Sequence, residues 1–172
     1  MNATTSLANL FIFRGVDKSA LHELCSLAPP VAFSPGTTIF QQGHKSDVAL
    51  LLVEGKLSVE VYSAGKTREI GQVNMGELVG ETALFAREGR RSASVRALEH
   101  SECLLINQDL LINAAKNPAV VAIERHLLGT LARRIRRTNQ ETSKIWKEYT
   151  VTEQSEESEG LIGRLKSIFG GR

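Results

Sequence analysis

The sequence predicts an α+β fold: a β-roll or jelly-roll barrel with N-terminal helices, a short helix between two of its strands and one long C-terminal helix. Three observations predict it. Short apolar and β-branched runs recur between residues 37 and 106 with Gly36, Gly43, Gly55 and Gly65 punctuating them, Pro29-Pro30 ends a helical pattern ahead of them, and beyond Pro118 the apolar residues recur every three or four positions.

Asp17 is placed to cap a helix that runs to about Ala28, with Leu21, Leu24, Cys25 and Leu27 on its apolar side and the two prolines as its stop. Strands are expected over 37–41, 48–53, 56–62, 67–73, 92–98 and 102–106, each too short to be anything but one wall of a compact roll. Asn107 opens a helical segment that breaks near Asn117-Pro118, where proline suits the first turn of a second helix. That helix is expected to reach about Tyr149. Leu127, Leu131, Ile135, Thr138, Thr142, Ile145 and Tyr149 fall along one seam, the pattern of a parallel homodimer.

Composition narrows the function. A chain of 172 residues builds one good core and a tail, and a net charge of +2 makes no general case for nucleic acid or anionic lipid. The longest wholly apolar run, 48–53, is far too short to span a bilayer, and with no signal peptide visible a cytoplasmic location is expected. Cys25 and Cys103 lack metal-site spacing and read as buried free thiols, and His22, His44, His100 and His126 show no ligand pairing, so no metal is expected. A cupin-like metalloenzyme shares the roll but needs clustered histidines. No Gly-x-Ser-x-Gly motif is present, and Glu77 and Glu81, separated by a stretch containing Gly80 and preceded by Gly76, shape a turn rather than an acid/base pair; no enzyme is expected.

One constellation carries chemistry. Gly80-Glu81 is followed ten residues later by Arg91-Ser92-Ala93, a carboxylate able to accept hydrogen bonds from sugar hydroxyls and a guanidinium able to neutralise a phosphate. Thr82-Ala83-Leu84-Phe85 can form one helical turn whose free amides face an anion, and Gly80 lets backbone approach a ligand closely. Arg91 opens an alternating run through Leu98, so it is expected to project from the start of a strand, across the short polar loop 86–90.

The stretch GELVGETALFAREGRRSASVRA resembles the phosphate-binding cassette of the cyclic nucleotide-binding domain family, and the likeness extends from about Leu10 to about Tyr149. The resemblance implies a short phosphate-binding helix with Thr82 in its first turn. It further implies that Glu81 and the Gly80 backbone hold the ribose 2′-hydroxyl, while Arg91, Ser92 and the Ala93 amide hold the cyclic phosphate. The Ser-Ala continuation selects Arg91 over Arg90. Residues 132–139 are similar to the stretch of the bacterial catabolite activator proteins in which a Thr-Ser pair contacts the adenine of cyclic AMP (cAMP). Here the pair is Thr138-Asn139. Asparagine in place of serine leaves the choice between adenine and guanine open, Ser92 after Arg91 does not exclude cyclic GMP (cGMP) or a cyclic dinucleotide, and the pair can instead set dimer register.

Arg133, Arg134, Arg136 and Arg137 share their helix with Glu124, Glu141 and Glu148 and have no interleaved aromatics, which describes a solvated face. About twenty residues follow that helix, too few for a DNA-recognition module, so DNA is not an expected partner. Residues 150–160, with Glu153, Glu156, Glu157 and Glu159, read as an acidic linker. In the tail 161–172, Leu161, Ile162, Leu165, Ile168 and Phe169 share a helical face that suits a protein partner, a membrane interface through 161–169, or the chain's own domain. The expectation is a stand-alone, non-catalytic cAMP receptor that passes movement of its C-terminal helix to a protein partner. A ligand-free dimeric scaffold is the alternative from another class.

Overall fold

The computed structural model describes residues 3–85 and 89–169, with side chains described at 3–82, 84–85 and 89–146. It divides into two units, Met1–Leu127 and Leu128–Arg172.

The first unit opens with α1 (Ala3–Ala8), a 3-10 turn (Phe11–Phe13) and α2 (Lys18–Leu27). Leu7, Leu10, Phe13, Leu21 and Leu24 are buried in one cluster, so tertiary packing supplies what these short helices lack in intrinsic stability. Asp17 occupies the N-cap position but makes no side-chain cap bond, and Leu27, expected on the apolar side, is exposed. Cys25 is half-buried and Cys103 fully buried, both as free thiols.

Eight strands follow among the described residues: β1 (Val31–Phe33), β2 (Thr38–Phe40), β3 (Ala49–Glu54), β4 (Leu57–Ser63), β5 (Lys66–Val73), β6 (Leu78–Val79), β7 (Ser94–Ala97) and β8 (Ser101–Ile106). They form two antiparallel four-stranded sheets, ordered β1-β8-β3-β6 and β2-β7-β4-β5. The β-roll with N-terminal helices and a long C-terminal helix is thus the observed fold. Strand β3 is buried on both faces. Ala49, Leu51 and Val53 join the helix-side cluster while Leu50 and Leu52 join the cluster between the sheets, which explains a continuous apolar run where a half-buried strand would alternate. Each such leucine contributes about 1.5–3 kcal/mol by leaving water. Strands β1 and β6, not anticipated, have three and two residues, too few to show a period; their partners in β8 and β3 define them.

Between β6 and β7 lies α3 (Glu81–Phe85), and α4 (Gln108–Asn113) follows β8, with the Asn107 side chain accepting from the Leu110 N–H at 2.8 Å. Helix α5 (Pro118–Phe169) begins as the proline signal predicts. Asn117 caps it by accepting from Ala119 N–H at 2.8 Å and donates to the Ala20 carbonyl at 3.1 Å and to Glu23 Oε2 at 2.8 Å, fixing the start of α5 to α2. Ala119, Val120, Ile123 and Leu127 bury themselves in the helix-side cluster. Leu127 therefore belongs to the core of the first unit, not to an open seam.

The second unit is the remainder of α5. The helix is continuous through residues 150–160, where acidic composition predicts a linker, and on to Phe169. No proline interrupts it, and its Glu and Gln residues are good helix formers, so acidity alone does not end it. In this unit Leu128, Ile135, Ile145 and Trp146 are exposed, and Arg137 Nε donates to Glu141 Oε1 at 2.8 Å one turn on. Tyr149, the last seam residue, and the apolar face expected over 161–169 have side chains outside the described residues. No helix among the described residues is long and apolar enough to cross a membrane.

Candidate functional site

The site is built where α3 meets the turn ahead of β7. Gly80 follows β6 with φ +82°, and a Cβ placed on it would collide with Arg91 Nη1 and lie 2.8 Å from Phe40 Cε2. Both the backbone conformation and the lack of space require glycine here. Glu81, the first residue of α3, is 0% exposed, and Thr82 beside it is exposed.

Arg91 is 5% exposed, which is rare for a guanidinium. It sits in a slot. Its Cζ lies 3.4 Å from the centroid of the Phe40 ring, a close cation–π contact. Nη1 donates to the Gly80 carbonyl at 3.1 Å, and Nη2 donates to Ser46 Oγ at 2.6 Å and to the Val48 carbonyl. Nε is buried and has no hydrogen-bond partner among the described residues. Burial lowers the Arg91 pKa, and the nearby carboxylates of Asp47 and then Glu81 push it back up. Arginine nonetheless keeps its charge in proteins, so the slot holds a fixed cation beside a buried carboxyl group.

A strap of chain between β2 and β3 holds Arg91 from its backbone side. The Arg91 N–H donates to the His44 carbonyl at 2.9 Å, the Gly43 N–H to the Arg91 carbonyl at 2.8 Å, and the Ser46 N–H to the Gly89 carbonyl at 3.1 Å. These bonds replace the expected strand start: β7 begins only at Ser94, and Arg91 lies in the connection before it. Arg90 is exposed and donates from Nη1 to the Gly43 carbonyl at 2.9 Å, outside the slot. Ser92 is exposed and Ala93 half-buried in the bend that follows. Residues 86–88 of the expected loop lie outside the described residues.

The structure thus brings Gly80, Glu81 and Arg91 together, with Thr82, Ser92 and Ala93 beside them in the chain. Thr138 and Asn139 are exposed residues of the second unit. Phe40, Ser46 and the Val48 carbonyl escaped the sequence reading. Ser46, in a polar loop, and Val48, at the start of the expected strand 48–53, lie 45 and 43 positions from Arg91, so no local signal links them to it.

Chemically, a buried guanidinium with a spare donor can take an anion, and an adjacent buried carboxyl group can take a sugar hydroxyl. The chain's relatives agree in kind. Residues 30–117 match the family model described as the cyclic nucleotide-binding domain. The chain is 30% identical over 139 residues to a CRP-like cAMP-activated global transcriptional regulator of Mycobacterium tuberculosis, covering 77% of this chain and 58% of that protein. It is also 30% identical over 125 residues to a cGMP-dependent protein kinase of Eimeria tenella, covering 73% of this chain and 12% of the kinase. In three dimensions it is similar to the catabolite activator protein of Thermus thermophilus, with a TM-score of 0.65, 29% identity, and coverage of 78% of this chain and 62% of that one. The chain therefore spans less than two thirds of the length of these relatives. With the cassette glycine, glutamate and arginine converging on one buried slot and the family match running across it, this chain belongs to the cyclic nucleotide-binding domain family.

Proposed function

We propose that this chain is a non-catalytic receptor for cAMP and that it passes the binding signal through α5 to a protein partner. One observation carries the reading: Arg91 is a buried cation whose Nε–H points to no protein acceptor among the described residues, beside a fully buried Glu81. A cyclic phosphate supplies an acceptor for the Arg91 Nε–H, the ribose 2′-hydroxyl donates to Glu81, and the amides of Thr82, Ser92 and Ala93 line the phosphate's approach. No further cofactor is required.

Thr138 and Asn139 contact the base in this reading, and the exposed residues Ile135, Ile145 and Trp146 of α5 pair two copies of the chain. Binding shifts a two-state equilibrium of α5, which alters what a partner can reach. The names of two relatives, one cAMP-activated and one cGMP-dependent, set the main competition for the ligand.

Equilibrium dialysis of the purified chain against cAMP, cGMP and a cyclic dinucleotide tests the reading. Saturable binding with cAMP preferred supports it, and a preference for another nucleotide reassigns the ligand. Removing residues 150–172 is expected to leave nucleotide affinity unchanged and to abolish partner recruitment; a large loss of affinity would instead make that segment part of the site.

A further inference from the structure

The slot around Arg91 contains one side-chain acceptor that neither the cassette motif nor the family likeness singles out. Ser46 lies in the strap between β2 and β3, half-buried, and its Oγ accepts from Arg91 Nη2 at 2.6 Å. We infer that Ser46 is a positioning residue for the phosphate contact: its hydroxyl fixes which edge of the Arg91 guanidinium faces the ligand. The inference rests on Arg91 being the phosphate-binding group.

A guanidinium carries five N–H groups in one plane. Val48 O and Ser46 Oγ take the two on Nη2, and Gly80 O takes one on Nη1. The Nε–H and the second Nη1–H remain, but on different edges of the group, so an incoming anion meets the Nε–H alone, on the edge that Nε shares with Nη2, and Nε is the atom that is buried without a partner among the described residues. Phe40 fixes the plane of the group but not its rotation within that plane, because a ring face is nearly indifferent to which nitrogen lies over it. The Val48 and Gly80 carbonyls are backbone acceptors on the rims of the slot, and each can accept from more than one guanidinium N–H. Ser46 is the acceptor that removes this freedom. Its own loop is in turn anchored, since the Ser46 N–H donates to the Gly89 carbonyl at 3.1 Å, two residues before Arg91.

The test uses the full chain and three variants at one position, Ser46→Ala, Ser46→Thr and Ser46→Gly, titrated with cAMP and with an uncharged phosphotriester of cAMP. A melting curve of each ligand-free variant serves as the control for folding. Ser46→Ala and Ser46→Gly are expected to weaken cAMP roughly tenfold, the effect of misaligning one charge-assisted hydrogen bond. Ser46→Thr, which keeps the hydroxyl, is expected to restore affinity to within about twofold. The neutral triester is expected to bind wild type and Ser46→Ala equally, a result that a general loosening of the pocket would not give. Equal cAMP affinity in wild type and Ser46→Ala overturns the inference while leaving the receptor reading intact. Tighter binding in Ser46→Ala also overturns it, since the hydroxyl would then compete with the phosphate for Nη2. Failure of wild type to bind any cyclic nucleotide overturns the receptor reading itself, and the inference with it.

Discussion

The Arg91 slot and the Thr138-Asn139 stretch of α5, the two regions proposed above to meet a nucleotide, are built in opposite ways. Arg91 and Glu81 are 5% and 0% exposed in the first unit, and Arg91 is tied by bonds that cross more than forty positions of sequence. Thr138 and Asn139 stand exposed on a single helix whose described contacts are local, such as the Arg137–Glu141 pair. Burial makes a charge expensive unless partners are provided, and in the slot the Phe40 ring, three hydrogen-bond acceptors and the nearby Asp47 and Glu81 carboxylates provide them. An exposed threonine and asparagine keep their hydrogen bonds to water and incur little cost without a ligand.

The sharpest way to break this contrast is to fill the slot from within. Gly80→Ala places a methyl group against Arg91 Nη1 and Phe40 at φ +82°, and it is expected to destabilise the fold by about 2–5 kcal/mol and to remove nucleotide binding. Chemical denaturation and a binding titration on the same sample check both effects. A second route acts on the packing beside the slot. Cys103 is in the inter-sheet cluster that Phe40 packs against, and burial pushes its thiol from 9.0 to about 12. Its folded-state pKa is raised, so its contribution is fully present below about pH 9 and is lost as pH rises toward about 12, by at most about 4 kcal/mol. Urea melts across that range should show the decline, and Cys103→Ala should flatten it.

Smaller effects sharpen the comparison. Glu81→Gln keeps the shape and removes the charge, and should weaken cAMP by about 1–3 kcal/mol while changing the affinity for its 2′-deoxy analogue little. The difference between the two ligands isolates the sugar contact. Thr138→Ala and Asn139→Ala should leave the melting temperature unchanged and shift nucleotide affinity by about 0.5–1.5 kcal/mol, expressed as a changed preference between cAMP and cGMP.

The same contrast explains what could be read in the sequence. The strands of the roll are legible because short apolar and β-branched runs and glycine turns are local signals, and β3, β4, β5 and β8 fall within two residues of their expected limits. The Gly-Glu and Arg-Ser-Ala motifs were legible because their spacing spans one short helix and a loop. Phe40 and Ser46 were not, since they reach Arg91 only through the pairing of β2 with β7 and the strap beyond it. Composition misled at residues 150–160. An acidic run without proline reads as a linker when only its solubility is considered, yet every backbone group in it can be satisfied within one helix.

The central claim is that Arg91 is the phosphate-binding cation, and calorimetric titration of cAMP into wild type, Arg91→Lys and Arg91→Ala tests it most directly. The account predicts saturable binding by wild type and a loss of about 2–5 kcal/mol in folded Arg91→Ala, with Arg91→Lys between them because it keeps the charge and loses the planar donors. Wild-type-like affinity in a folded Arg91→Ala, or no cyclic nucleotide bound by wild type, would contradict it.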